Sequence, residues 1–205
     1  MNHANEHGKL YETQMIIHKG KGLIARDYIE QGARIASEKP ILVFSELSNE
    51  EEVTAKLKSV STQDQDSILS YHNNFPDSKY PLLGIVSTNS LPLGDTARCG
   101  IFPIIRHVNH NCIPNAHYSW NDSSGSGNIH ALRDINIGEE ITIRYDNLEP
   151  SFERRAILKE DFGFCCNCNL CSESPINIQR SDYRRRRIKV LEIIITDQVR
   201  RTRIC

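Results

Sequence analysis

Apolar and polar positions alternate most cleanly along Ile141-Thr142-Ile143-Arg144-Tyr145, a period of two that predicts a strand with Tyr145 on the face of Ile141 and Ile143. Between Met15 and Phe44 shorter extended pieces are predicted, broken by Gly20, Gly22 and Gly32, with Pro40 ahead of the apolar run Ile41-Leu42-Val43-Phe44. The pattern changes over residues 46–93. There Glu50 to Val60 and Gln63 to His72 have helical composition, and Asn73, Asn74 and Pro76 close the second segment. This stretch reads as a helical insertion in a β-rich chain whose strand character returns after Gly100. Ser151 is placed to cap a helix that runs through Ala156, Ile157 and Leu158 and stops at Gly163. Ser181 opens a last predicted helix with Ile188, Leu191, Ile195 and Val199 on one stripe. A weak internal echo links Arg26-Asp27 through Gly32 to Ile35 with Arg133-Asp134 through Gly138 to Ile141, and it reads as two similar hairpin turns rather than a repeat.

Composition narrows the classes open to such a chain. With 205 residues and 39% apolar content, it can bury one substantial core, or one core plus a small satellite. The formal charge of −1 gives no reason to expect nucleic acid or an anionic membrane as partner. No apolar run has the length of a membrane span, and Met1 to Gln14 is polar, without the apolar core of a signal peptide. A soluble, intracellular monomer is expected, in the nucleus or the cytoplasm. The run Arg184-Arg185-Arg186-Arg187 is expected at the start of a helix as a solvated face that can seek an acidic partner, so direct nucleic-acid binding is disfavoured. The tripeptide Asn121-Asp122-Ser123 matches a glycosylation acceptor and is given no weight in that compartment. The chain ends at Cys205 without a stop signal, as expected of a truncated form of a longer protein.

Seven cysteines change the picture more, because four of them fall within residues 165 to 171. Cys166-x-Cys168-x2-Cys171 places three thiolates in one tight turn, which suits a tetrahedral zinc, and a fourth ligand must come from elsewhere. Cys112 and Cys99 are the candidates. Cys165, adjacent to Cys166, points differently and is left out. A site closed by four thiolates has no position for water, so the metal is structural.

Two longer segments carry the strongest pattern. Arg106-His107-Val108-Asn109-His110-Asn111-Cys112-Ile113-Pro114-Asn115 precedes Gly138-Glu139-Glu140-Ile141-Thr142-Ile143-Arg144-Tyr145. Together they resemble the two signature motifs of the SET family, Asn-His-Ser-Cys-x-Pro-Asn and Gly-Glu-Glu-Leu-Thr-x-x-Tyr. The order of the rest is similar too. Lys19-Gly20-Lys21-Gly22-Leu23-Ile24-Ala25 looks like the N-terminal glycine motif, Thr88-Asn89-Ser90 looks like the segment ending the helical insert, and Phe164 to Cys171 looks like the post-SET zinc motif. The resemblance covers roughly residues 15 to 172 and is nearest to SET proteins linked to a MYND zinc finger. No second Cys/His cluster that could form that finger appears in the sequence. Asn111 stands where the family has serine.

The resemblance implies an α+β, mainly β SET fold: short twisted sheets, a pseudoknot-like threading of the C-terminal segment, a helical insertion and a small zinc-bound post-SET segment. It divides the chain into a tail at 1–14, a SET domain at 15–147, a helix and zinc segment at 148–172 and a helical extension at 173–205. The implied activity is methyl transfer from S-adenosylmethionine to a lysine of a protein or peptide, such as a histone tail. Lys21, Gly22, Leu23, Asn89, Asn109, His110, Tyr145 and Phe164 are then expected to bind the cofactor. Tyr145 would supply the catalytic hydroxyl and, with Phe162, line the lysine channel. Cys112 would join Cys166, Cys168 and Cys171 on zinc. Glycines at 20 and 22 let the backbone approach a ligand and adopt positive φ. Phe162 lacks the hydroxyl that some relatives carry there, which favours methylation beyond the first step. Glu139 and Glu140 are read as structural, one exposed and one hydrogen-bonded, without acid or base work. The alternative is a SET fold without catalysis, serving as a scaffold or peptide-binding module.

Overall fold

A computed structural model describes residues 9–146 and 148–202, with only the backbone of 197–202. Residues 1–8 of the expected tail, Asn147 at the expected domain boundary, Cys205 and the side chain of Val199 lie outside the described residues. The chain divides into two compact units, residues 1–143 and 144–205. The mainly β expectation holds among the described residues, with ten strands in small sheets and five α-helices.

In the first unit, β1 (Tyr11–Ile16) and β2 (Gly20–Ala25) form a hairpin with Tyr11 opposite Ala25. The first strand therefore begins inside the stretch read as a tail, because its six backbone positions pair with β2 whatever the polarity of its side chains. β2 also pairs with β10 (Glu140–Ile143), which runs parallel to the two-residue β7 (Asn109–His110), giving a sheet ordered β1-β2-β10-β7. A second sheet is ordered β3-β9-β8, from β3 (Arg34–Glu38), β9 (Ser126–Ala131) and β8 (Ala116–Asn121). A third is ordered β4-β6-β5, from β4 (Leu42–Ser45), β6 (Arg98–Ile101) and β5 (Ser90–Pro92).

The internal echo has a structural counterpart that is not a pair of hairpins. β2 leads into β3 and β9 into β10, so each turn passes the chain from one sheet to another. The two turns exchange equivalent bonds. Ile29 and Ile135 each donate to the other's carbonyl at 2.9 Å, Gly32 N–H donates to Ala131 O at 2.9 Å, and Gly138 N–H donates to Ala25 O at 2.8 Å. Gly32 and Gly138 share φ +82, a left-handed conformation that costs glycine least.

The helical insertion is α1 (Glu50–Leu57), α2 (Thr62–Leu69) and α3 (Pro81–Asn89). Asn49 and Ser61 cap the first two, accepting from Glu52 N–H at 3.0 Å and Asp64 N–H at 3.1 Å. α3 goes beyond the two predicted helices. Pro81 starts it, and the Glu50 carboxylate of α1 accepts from its first-turn Leu82 and Leu83 N–H groups, which have no partner within the helix. The three helices share one buried cluster with the third sheet, in which Val53, Leu57, Ile68, Leu82 and Val86 meet Leu42, Phe44 and Ile101.

The second unit holds α4 (Ser151–Phe162) and α5 (Pro175–Thr202). Gly163 ends α4 at φ +71, as predicted, with its N–H on Lys159 O and Phe164 N–H on Leu158 O. Ser151 is not the cap. Its N–H and hydroxyl both donate to the carboxylate of Asp182, which takes the capping role from α5. Ser181 does not open the last helix either, since α5 starts six residues earlier at Pro175 and Ser181 is buried inside it. The four arginines consequently lie within α5, with Arg185 buried and Arg184, Arg186 and Arg187 exposed. Ile188, Leu191 and Ile195 of the predicted stripe are exposed.

Candidate functional site

Three of the sequence motifs meet at one place in the first unit. β7 brings Asn109 beside Thr142 of β10, and the Asn109 amide donates to Lys21 O at 3.2 Å and to a Glu140 carboxylate oxygen at 2.9 Å. The other Glu140 oxygen accepts from Lys19 Nζ at 2.6 Å. Glu140 thus joins the glycine strand, the Asn-His strand and its own strand. Neither acidic residue is idle, since Glu139 takes bonds from Arg133, Asn136 N–H and Asn115. The hydrogen bond from Arg133 is the main cause holding the Glu139 carboxyl below its usual range.

The two glycines serve for different reasons. Gly20 sits at φ +75 with nothing within 4 Å of where a Cβ would be, so its backbone is open to a ligand. Gly22 does not have positive φ, contrary to expectation. A Cβ there would lie 2.6 Å from Ile16 Cγ1 and 2.9 Å from the Asn109 amide nitrogen, so only glycine lets Asn109 lie against the strand.

Leu23 is wholly buried and its backbone lies between Thr13 and Ile141 in the middle of the sheet. His110 is buried, with Nε2 at 3.2 Å from the sulfur of the equally buried Cys112. Asn89 ends α3, where its amide donates to His72 O and Ile85 O, both at 2.7 Å. The last residue of the Asn-His segment matters more than its sequence position suggests. Buried Asn115 accepts from Thr142 N–H at 2.8 Å and donates to Glu140 O at 2.8 Å, fastening β10.

At the start of this segment lies a charged cluster that no local pattern signals. The Glu38 carboxylate accepts from Ile104 and Ile105 N–H groups, and burial pushes its carboxyl up. Arg106 lies over the Tyr71 ring at 3.4 Å, tying the insertion to the Asn-His segment. Burial, with Arg106 and then Lys21 nearby, lowers His107 to about 4.

Tyr145 belongs to the second unit. β10 stops at Ile143, whose carbonyl accepts from Asn111 N–H, so the period-two pattern does not continue to Tyr145. Its ring lies 4.7 Å from that of Phe162, centroid to centroid, with a tilt of 43°. The two rings therefore pack against each other within this unit. Gly163 then turns the chain from Phe162 to Phe164 and the cysteines.

The sulfurs of Cys166, Cys168 and Cys171 lie within 4.8 Å of one another. A tetrahedral zinc with bonds of about 2.3 Å spaces its sulfurs about 3.8 Å apart, so this donor set fits the ion. Arg154 Nη2 donates to the Cys171 sulfur at 3.6 Å, and Arg155 donates to the Cys171 carbonyl at 2.9 Å. Cys99, the other candidate fourth ligand, is engaged elsewhere. Its thiol faces Glu46 at 3.4 Å, and burial first, then that carboxylate, pushes it up to about 11, the wrong direction for a metal-binding thiolate. Cys165 is exposed.

The family model described as SET domain matches residues 20–146. Among curated relatives, the histone-lysine N-methyltransferase set5 of Schizosaccharomyces pombe is 35% identical over 88% of this chain and 56% of its own length. The N-lysine methyltransferase SMYD2-B of Danio rerio is 30% identical over 65% of this chain and 32% of its own. The histone-lysine N-methyltransferase SMYD3 of Homo sapiens is 41% identical over 35% of this chain and 17% of its own. The chain thus spans about half of the first of these relatives and less of the others. No helix among the described residues is long and apolar enough to cross a membrane.

Proposed function

This chain belongs to the SET-domain family, and on that premise we propose that it is an S-adenosylmethionine-dependent protein-lysine N-methyltransferase acting inside the cell on histone tails or other proteins. The observation that carries the reading is the convergence of Gly22, Asn109 and Glu140, which puts three motifs against one another beside the open backbone of Gly20. When bound, S-adenosylmethionine supplies an electrophilic methyl group on a sulfonium. Lys21, Gly22, Asn109 and His110 are the proposed binding residues of the first unit, with Leu23 and Asn89 shaping its wall. Tyr145 and Phe164 are those of the second.

Methyl transfer needs a neutral amine, whereas lysine in water has a pKa near ~10.4. Aromatic walls such as the Tyr145 and Phe162 rings withhold water from the ammonium form and favour its deprotonation. The Tyr145 hydroxyl is proposed to accept from the amine and orient its lone pair, and no carboxylate base is required. With phenylalanine at 162, products beyond monomethyl-lysine are expected, and mass spectrometry of the product checks this.

Zinc is proposed to be structural, held by Cys166, Cys168 and Cys171 with Cys112 as fourth ligand. When bound it supplies cross-linking only, with no open position for chemistry.

Incubation with labelled S-adenosylmethionine and a protein extract tests the activity, comparing the chain with its Tyr145→Phe variant. Labelling by the first and its loss in the second are expected. Equal labelling removes Tyr145 from the mechanism, and no labelling together with no cofactor-dependent rise in melting temperature removes the activity.

A further inference from the structure

Arg154 is among the largest fully buried side chains of the described residues, at 1% exposure, and the function proposed above makes no use of it. Burying a guanidinium is costly unless its charge and its donors are met. Two of its donors have defined acceptors of different kinds. Nη2 points at the sulfur of Cys171 at 3.6 Å, and Nη1 donates to Glu149 O at 2.9 Å. That carbonyl is itself held, accepting from Arg185 Nη1 at 3.3 Å, and Arg185 in turn lies 3.9 Å from the buried Asp146 carboxylate. Arg155, the next residue of α4, grips the carbonyl of the same cysteine. One metal-ligand residue is therefore held at its sulfur by one arginine and at its backbone by the next.

We infer that Arg154 is a positioning residue of the metal centre, fixing the Cys171 sulfur in place for the ion and offsetting the negative charge of the thiolate cluster. The inference rests on the zinc reading above. A zinc ion with four thiolates carries a net charge of about −2. A buried cation that hydrogen-bonds one of those sulfurs stabilises the cluster as well as orienting a ligand. Arginine suits this place because its planar fork reaches a sulfur and a carbonyl at once, which a lysine ammonium on a single stem does not.

The test uses the full chain purified with its zinc. Metal content is measured first, then the rate of zinc transfer to a chromophoric chelator, for the native protein, Arg154→Gln and Arg154→Lys. Helix content by circular dichroism verifies folding. Arg154→Gln is expected to release zinc about 10–100-fold faster, with Arg154→Lys between the two. After cobalt substitution, the sulfur-to-metal charge-transfer band is expected at lower energy in Arg154→Gln, because its thiolates have lost a cationic donor. A purely structural role in α4 does not move that band. Release within twofold of the native rate and an unmoved band overturn the inference and leave zinc binding intact. If Arg154→Gln does not fold, the same two readings on Arg154→Lys decide. A native protein that holds no zinc overturns the inference through the metal reading, a result distinguishable from the first.

Discussion

Replacing Gly22 by alanine tests the heart of the first unit. The added methyl would stand 2.6 Å from Ile16 Cγ1, 2.9 Å from the Asn109 amide nitrogen and 3.2 Å from a Glu140 oxygen. Ile16 is β-branched and paired opposite Gly20, so its Cγ1 moves little. The Asn109 amide must swing away and give up its bonds to Lys21 O and Glu140. Overpacking of this kind costs about 1–3 kcal/mol. Restricting the unfolded chain returns about 0.4–1 kcal/mol. The net loss is about 1–2 kcal/mol, a fall in Tm of about 2–8 °C for a chain of this size. Gly20→Ala is the control. It meets no atom within 4 Å but is strained by φ +75, so it should cost about 1 kcal/mol and leave Asn109 in place. Thermal melts and titration with S-adenosylmethionine separate the two. Gly22→Ala should weaken cofactor binding well beyond its effect on stability, and Gly20→Ala less so. A Gly22→Ala protein that melts and binds like the native one refutes the packing argument.

Other outcomes follow from single contacts. Asn115→Ala orphans the buried Thr142 N–H and Glu140 carbonyl and should destabilise the protein by about 2–4 kcal/mol in urea unfolding, since each buried orphan costs about 1–3 kcal/mol. Asp182→Ala removes the cap of α4 and should cost about 1–2 kcal/mol, whereas Asp182→Asn, which keeps an acceptor oxygen, should cost less. His107, with a folded value of about 4 against 6.5, binds its proton more readily in the unfolded chain, so stability must fall as pH drops from about 7 towards 4. Halved for its partial exposure, the loss between pH 7 and 5 is about 1 kcal/mol, and denaturant titrations of His107→Gln should lack that component.

Features encoded by neighbouring residues were legible in the sequence. Gly163 ends α4 because a left-handed cap is a property of one residue, and the tight Cys166-x-Cys168-x2-Cys171 turn gathers its sulfurs for the same local reason. Positions set by partners far along the chain were not. Ser151 has the composition of a cap, yet Asp182 does the work from 31 positions away, and Glu50 opens α3 from 33 positions before Leu83. The strand through Ile143 ends where β7 runs out, which no alternation within the strand announces. Glu140 gave no sign of being the junction of three strands, because its partners Lys19 and Asn109 lie on other segments. Motif order identified the neighbourhood, and the long-range hydrogen bonds decided which atoms face each other in it.

The two mutually bonded turns have a consequence for how this chain tolerates change. They clasp residues 25–35 to residues 131–141, so α1, α2 and α3 all lie inside one closed loop of the chain. The entropy of closing such a loop grows only logarithmically, about 0.6 kcal/mol for each doubling of its length. Residues can therefore be added to or deleted from the exposed connections between those helices with little effect on the clasp, while loss of either glycine at φ +82 strains the clasp itself. The insertion is where such a protein can diversify cheaply, and the clasp is where it cannot.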